Sequence, residues 1–132
     1  MAHKSVNSTA LNSPNGYCHA CLVEKGTIAF ISGCLPLDKK GSVISKEDFA
    51  GQVEAALGNM RKALEEVDAT FNDVVKMNFF VSGFNKERLA VVRDVRRAFI
   101  NAENPPAITT VGIDCLYDPD ILVEIEAIAT IN

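Results

Sequence analysis

Five short stretches of the chain combine alternating apolar and polar positions with β-branched or aromatic residues, which is the pattern of a β-strand. They span residues 18–24, 27–32, 74–82, 107–113 and 121–131. Only the turn residues Lys25 and Gly26 separate the first two stretches. This spacing predicts a β-hairpin between them.

Two of the predicted strands have one uniformly apolar face and one mixed face, since neighbouring side chains in a strand point to opposite sides. In residues 74–82 the apolar face comprises Val75, Met77, Phe79 and Val81, and the mixed face comprises Val74, Lys76, Asn78, Phe80 and Ser82. In residues 121–131 the apolar face comprises Ile121, Val123, Ile125, Ala127 and Ala129, and the mixed face comprises Leu122, Glu124, Glu126, Ile128 and Thr130.

Two amphipathic helices are predicted between these strands. Ser45, with Asp48 three residues on, resembles a capping box and starts a helix that runs to about Val67. Its apolar stripe comprises Phe49, Val53, Leu57, Met60, Leu64 and Val67. The second helix runs from about Lys86 to Asn101, with Asn85 as its N-cap. Its inward residues are Leu89, Val92, Val95 and Phe99, and its solvated face carries Arg93, Arg96 and Arg97.

The order of these elements predicts an α+β fold in which two helices cover one face of a sheet. The uncovered face would carry apolar residues among its polar ones, namely Val74, Phe80, Leu122 and Ile128. Because that surface is too apolar to remain exposed to water, we expect the protein to form a homo-oligomer through it. The length of 132 residues predicts a single domain over 1–132, with residues 1–11 as a loosely ordered N-terminal tail.

Composition and charge limit the kinds of partner that we expect this protein to bind. The chain is 48% hydrophobic with a net charge of −4 and interspersed charges, which disfavours nucleic acid and a polybasic membrane contact. No apolar run approaches the roughly 20 residues of a membrane span, and the N-terminus lacks the apolar core of a signal peptide. We therefore expect a cytoplasmic protein whose partners are small molecules or protein.

The stretch GYCHAC places Cys18 and Cys21 at C-x-x-C spacing around His19. In a strand, residues three apart project to opposite sides, so this pair is not expected to share a metal. Cys34 and Cys115 are isolated, and a zinc site would need further ligands. The sequence therefore predicts reduced thiols and no metal, and it disfavours a redox role.

Glu124 and Glu126 share the mixed face of the last strand, about 7 Å apart at roughly 3.3 Å per residue. An interface that desolvated one of them would raise its pKa and suit it to acid–base chemistry. A charged, solvated strand face is the alternative, and the pattern alone favours it.

Four segments, taken in order, resemble the RidA/YjgF family of reactive intermediate deaminases. They are GYCHA at 16–20, FISGCLPLD at 30–38, DVVK at 73–76 and LVEIEAIA at 122–129, and the resemblance extends from about Asn12 to Ile131. It implies a chorismate-mutase-like α+β fold, with two helices on one face of a mixed sheet. It also implies a homotrimer with three clefts between subunits.

The resemblance implies hydrolysis of 2-imines and 2-enamines to ammonia and a 2-keto acid, without a metal or an organic cofactor. By motif, Glu124 would position or activate water, Tyr17 would line the cleft and Ser32 would orient the substrate. The substrate-binding residues carried over to the same cleft are His19, Gly33, Cys34, Ile108 and Thr110.

One departure from the family pattern concerns the substrate. Where deaminase members read PARS, this chain has Ile108, which cannot bind a carboxylate, and Val92 replaces a family asparagine. Arg93 is a possible compensating cation, although its helix position favours a surface role. The sequence thus predicts a deaminase-type hydrolase of imines or enamines other than the standard 2-iminopropanoate. The alternative is a noncatalytic trimer that binds small metabolites or partner proteins.

Overall fold

The computed structural model describes residues 2–132, and their secondary structure alternates between strands and helices. Its elements are β1 (His3–Val6), β2 (Ala20–Val23), β3 (Thr27–Cys34), α1 (Phe49–Glu65), β4 (Val74–Ser82), α2 (Lys86–Arg96), β5 (Ala107–Ile113) and β6 (Val123–Ile131). A short 3-10 turn at Phe71–Asp73 precedes β4. Within this range no helix has the length and apolar character needed to cross a membrane.

The main sheet has four strands in the order β3-β6-β4-β5. β6 pairs antiparallel with both β3 and β4, whereas β4 and β5 are parallel and are connected through α2. The core between the sheet and the helices is formed by apolar residues including Leu57, Met60, Leu64, Met77, Phe79, Val81, Val92, Val123 and Ile125. This arrangement confirms the predicted α+β fold with two helices on one face of a mixed sheet.

Helix α1 begins later than its predicted start. Asp48 is the N-cap, and its carboxylate accepts a hydrogen bond from the Gly51 backbone N–H at 3.0 Å. Ser45 lies before the helix with a φ of 57°, outside helical geometry. Val67 lies beyond the last turn and is 40% exposed, so it is not part of the buried stripe.

Helix α2 begins as predicted and ends early. The Asn85 side chain accepts a hydrogen bond from the Arg88 N–H at 2.7 Å and caps the first turn. The helix ends at Arg96 rather than near Asn101. Its end is marked by tighter i to i+3 bonds, since the Ala98 N–H donates to Val95 O and the Phe99 N–H to Arg96 O.

The predicted hairpin is wrong. β2 pairs antiparallel with β1 in a separate two-stranded sheet, whereas β3 pairs with β6. A Cβ on Gly26 would collide with the Ile131 carbonyl, so the chain passes close against β6 at this turn. Residues 3–6, expected in a loose tail, therefore supply the partner strand for β2. Met1, the first residue of that tail, lies outside the described residues.

An irregularity at the start of β4 changes which valine is in the core. The register between β4 and β6 shifts between Val74 and Lys76. Val74 consequently joins the core cluster at 1% exposure, and its predicted place on the uncovered face is wrong. A second shift lies between Ile31 and Cys34, where β3 passes β6.

Candidate active site

The face of the main sheet opposite the helices carries exposed apolar side chains; we call it the open face. Phe30 on β3 is 76% exposed there, and Ile28 on the same strand is 53% exposed. A shallow cavity of about 240 Å³ lies over this face between β3, β4 and β6. Within it the Asn78 amide donates a hydrogen bond to Glu126 at 3.0 Å. The open face is thus a mixed surface of apolar side chains and of charged side chains of both signs, Lys76 and Glu126.

Glu124 lies at the second register shift, beside Gly33. A Cβ on Gly33 would overlap the Glu124 carboxylate, so the carboxylate occupies space that only glycine leaves free. Burial, with a smaller contribution from the charge of Glu124, raises the pKa of the neighbouring Cys34 thiol to about 11. Cys34 is therefore a neutral thiol at physiological pH. The predicted residues Ser32, Gly33, Cys34 and Glu124 lie together, and we call them the Glu124 group.

Three of the other predicted residues, Tyr17, Ile108 and Thr110, lie around a separate cavity of about 220 Å³ between β5, α2 and the segment before β2. The Cys18 N–H donates to Pro106 O at 3.1 Å and so holds this segment beside the start of β5. We call this space the Tyr17 cavity; its lining residues are Tyr17, Phe84, Leu89, Arg93, Arg96, Ile108 and Thr110.

The Glu124 group and the Tyr17 cavity face opposite sides of the sheet. Ile108 and Thr110 are paired with the core residues Met77 and Phe79, so their side chains point to the helix side. Glu124 is paired with Phe80 and points to the open face. The sheet therefore separates the Glu124 group from the Tyr17 cavity. Within residues 2–132 of one subunit, the two sets of residues do not form a single site.

Both ring nitrogens of His19 are hydrogen-bonded to backbone groups of the preceding loop. Its Nδ1 accepts a hydrogen bond from the Ser8 N–H at 3.1 Å, and its Nε2 lies 2.8 Å from the Asn12 carbonyl, which requires the Nε2–H tautomer. The ring also makes an edge contact with Tyr17, with centroids 6.2 Å apart. His19 therefore contacts Tyr17, and its binding role stays a prediction.

The C-x-x-C pair does not have the expected geometry. Cys18 precedes β2 and bridges to Ala107, so strand alternation does not govern it. Its side chain reaches the thiol of Cys21, where burial first and then contact with Cys18 raise the pKa to about 11. The described cysteines are all free thiols. Among residues 2–132, no cluster of three or more His, Cys, Asp or Glu side chains could hold a metal ion.

Sequence reasoning missed Arg96, which it assigned to the solvated face. Arg96 is only 4% exposed, and its Nη2 donates to Asn15 O at 3.1 Å. The segment around Gly16 packs over the end of α2 and buries the guanidinium. The available signal was the i, i+3 spacing of Arg93 and Arg96, which places both on one side of a helix.

The architecture is that of an α+β protein, with a mixed sheet, two helices on one face and a cavity beside the parallel edge strand. The chain belongs to the RidA/YjgF family, whose family model, described as Endoribonuclease L-PSP, matches residues 7–131. This confirms the resemblance read from the sequence.

Individual relatives agree with this membership. A RutC family protein from Pyrococcus horikoshii is 33% identical over 107 residues, covering 81% of this chain and 82% of the relative. A protein from Dermatophagoides farinae named 2-iminobutanoate/2-iminopropanoate deaminase is 28% identical over 132 residues and 100% of both chains. The crystal structure of a Rid family protein of unknown function from Yersinia pestis, YyfB, superposes with a TM-score of 0.93 at 27% identity, covering 99% of this chain and 100% of that one.

Proposed function

We propose that this protein is a RidA-like hydrolase of reactive imine or enamine intermediates and that it acts in a cleft between the subunits of a homotrimer. The observation that carries the proposal is the division of the site residues between two faces of one sheet. A cleft that contains both the Glu124 group and the Tyr17 cavity requires a second copy of the chain. The exposed Phe30 on the open face gives that copy an apolar surface to cover.

The proposed reaction adds water to the carbon of a C=N bond and releases ammonia and a carbonyl product. Glu124 accepts a proton from the attacking water and returns it to the departing nitrogen. No hydrogen-bond donor engages its carboxylate among the described side chains, so its oxygens remain available for water. Tyr17 and Ser32 orient the substrate, and the Thr110 hydroxyl offers a further hydrogen bond in the Tyr17 cavity.

Ile108 distinguishes this site from one built around an arginine at the same position. Its aliphatic side chain lines the Tyr17 cavity beside Phe84 and Leu89. We therefore propose that the substrate is not 2-iminopropanoate held by residue 108. The same apolar wall favours a second candidate function, a noncatalytic trimer that binds small metabolites in this cavity.

RNA is not our proposed substrate, although the family description names an endoribonuclease. The net charge of −4, with acidic residues spread along the chain, opposes the counterion release that drives binding to a phosphate backbone. Free thiols at all four cysteines support a reducing compartment, and we propose the cytoplasm.

The test measures loss of 2-imino acids and uncharged imines generated in situ by enzymatic oxidation of the parent amino acids and amines, with semicarbazide trapping the imine that remains. The Glu124→Gln variant should lose turnover by about 100-fold or more, the usual contribution of a positioned acid–base group. Glu126→Gln is the matched control, since it changes the same residue type two positions along the same strand.

Two results would contradict the proposal in different ways. Full activity in Glu124→Gln would remove Glu124 from the mechanism. A wild-type trimer that accelerates hydrolysis of none of these imines would leave only the noncatalytic function.

A further inference from the structure

Arg96 has a buried positive charge without a compensating carboxylate. It is 4% exposed, and the Asn15 carbonyl, at 3.1 Å from Nη2, accepts one of its five N–H groups. The ion pairs within residues 2–132 join Lys46 to Asp120 and Arg97 to Asp94, and neither includes Arg96. A charged group that folding buries is ordinarily paired, because desolvation without a partner is unfavourable.

The surroundings of Arg96 add to this positive charge. Burial lowers its pKa, and the neighbouring charges of Arg93 and Arg97 lower it further. Arg93 and Arg96 are three residues apart on α2 and line the Tyr17 cavity together. A guanidinium remains protonated at physiological pH even with a lowered pKa, so both charges persist in the cavity.

No acidic residue balances these arginines where they line a cavity. The linings of the Tyr17 cavity and of the small adjoining cavity of about 40 Å³ contain two and three arginines respectively and no Asp or Glu. The chain as a whole has 17 acidic and 13 basic residues, so this is a local reversal of its charge balance. An anionic ligand would supply the missing partner.

We propose that Arg93 and Arg96 form a carboxylate-binding subsite in the Tyr17 cavity and that the ligand is a small monocarboxylate with an apolar side chain. The planar guanidinium forks suit the two oxygens of a carboxylate. Ile108, Phe84 and Leu89 form the apolar wall for the side chain.

An arginine on β5 would hold the ligand from the strand, whereas this subsite holds it from helix α2. The cations come from the C-terminal half of helix α2 rather than from β5, so the carboxylate points toward that half of the helix. Ligand binding is inferred independently of the proposed function, whereas the reaction that follows binding rests on that function. Binding of a stable 2-oxo acid tests it separately.

The experiment titrates the full-length protein with pyruvate, and in parallel with pyruvamide, which has the same shape without the charge. Binding is measured by calorimetry and by the arginine Nε–Hε resonances in ¹⁵N NMR spectra. We expect Arg93→Gln and Arg96→Gln each to weaken pyruvate binding about tenfold or more, the effect of losing a hydrogen bond to a charged group. Pyruvamide should bind more weakly than pyruvate and respond little to either change.

The control is Arg97→Gln, which removes the same charge from the same end of α2 but lies outside the Tyr17 cavity. Its pyruvate affinity should stay within about twofold of wild type, as expected for a screened surface charge. Arg96→Lys keeps the charge without the planar fork and should show an intermediate affinity. If Arg96→Gln fails to fold, the exposed Arg93 and the shift of the Arg96 Nε–Hε resonance in wild type still decide the result.

Each outcome has a definite meaning. The inference is overturned if wild type does not bind pyruvate, or if the Arg93 and Arg96 variants bind it as wild type does. If pyruvate binds through both arginines but no imine is hydrolysed, the proposed function fails and the subsite stands. If imines are hydrolysed with undiminished affinity in both variants, the function stands and the subsite fails.

Discussion

At the residue scale, Gly33 is constrained by its neighbour rather than by its backbone. It is not among the glycines with positive φ, yet a Cβ at this position would overlap the Glu124 carboxylate. An alanine there must displace the carboxylate by about an ångström, because non-bonded carbon and oxygen atoms need over 3 Å. Glycine at this position therefore fixes where the proposed proton relay lies.

We expect Gly33→Ala to lower imine turnover by up to about 100-fold, the cost of misplacing a catalytic group by an ångström. The measurement is steady-state turnover together with the thermal unfolding midpoint. Gly58→Ala is the control, since nothing lies within 4 Å of a Cβ at that helical position. It should keep full turnover and gain up to about 1 kcal/mol in stability. Unchanged turnover in Gly33→Ala would show that the Glu124 position is not critical.

Individual site residues differ in how far the sequence could predict them. The family motif placed Gly33 and Glu124 in one cleft, and the structure brings them into contact. The burial of Arg96 depends on Asn15, which is 81 positions away, and helical periodicity contains no information about such a contact. The neighbouring thiols of Cys18 and Cys21 were likewise missed, because Cys18 lies outside the regular strand.

At the element scale, local patterns predict that a strand exists better than they predict its partner. β4 and β5 were predicted with their observed bounds, since each has a clear hydrophobic run between turn residues. The pairing of β2 with β1 was missed because β1 has only four residues, HKSV, with no apolar alternation. The register shift at Val74 was also invisible, since a bulge changes faces without changing composition.

Helix α2 positions both arginines of the proposed subsite. A change at its N-cap, Asn85, therefore tests how much the cap contributes to the stability of this helix. Asn85→Ala removes the hydrogen bond to the Arg88 N–H and should lower the free energy of unfolding by about 1 kcal/mol. Urea denaturation measures this directly, with Asn85→Asp as a control that retains an acceptor. A loss as large in Asn85→Asp would indicate a role for the amide other than capping.

At the scale of the whole molecule, the open face connects stability, assembly and the proposed site. It exposes Phe30 and Ile28 on β3, and the Glu124 carboxylate points to the same side. Covering this face with another copy would remove apolar surface from water at roughly 25 cal/mol per Å². It would also enclose the Glu124 carboxylate between the two copies.

Phe30→Glu tests whether this face holds the subunits together. The change places a charge where a partner subunit would bury an aromatic ring, and a buried unpaired charge strongly opposes association. We expect light scattering to show a trimer for wild type and a monomer for Phe30→Glu at micromolar concentration, with imine turnover lost in the monomer. Leu22→Glu is the matched control, because Leu22 is 55% exposed and belongs to the small β1-β2 sheet rather than to the main sheet. If the Phe30→Glu protein stays trimeric, the interface lies elsewhere. The Glu124 group and the Tyr17 cavity would then have to come together through a different contact between subunits.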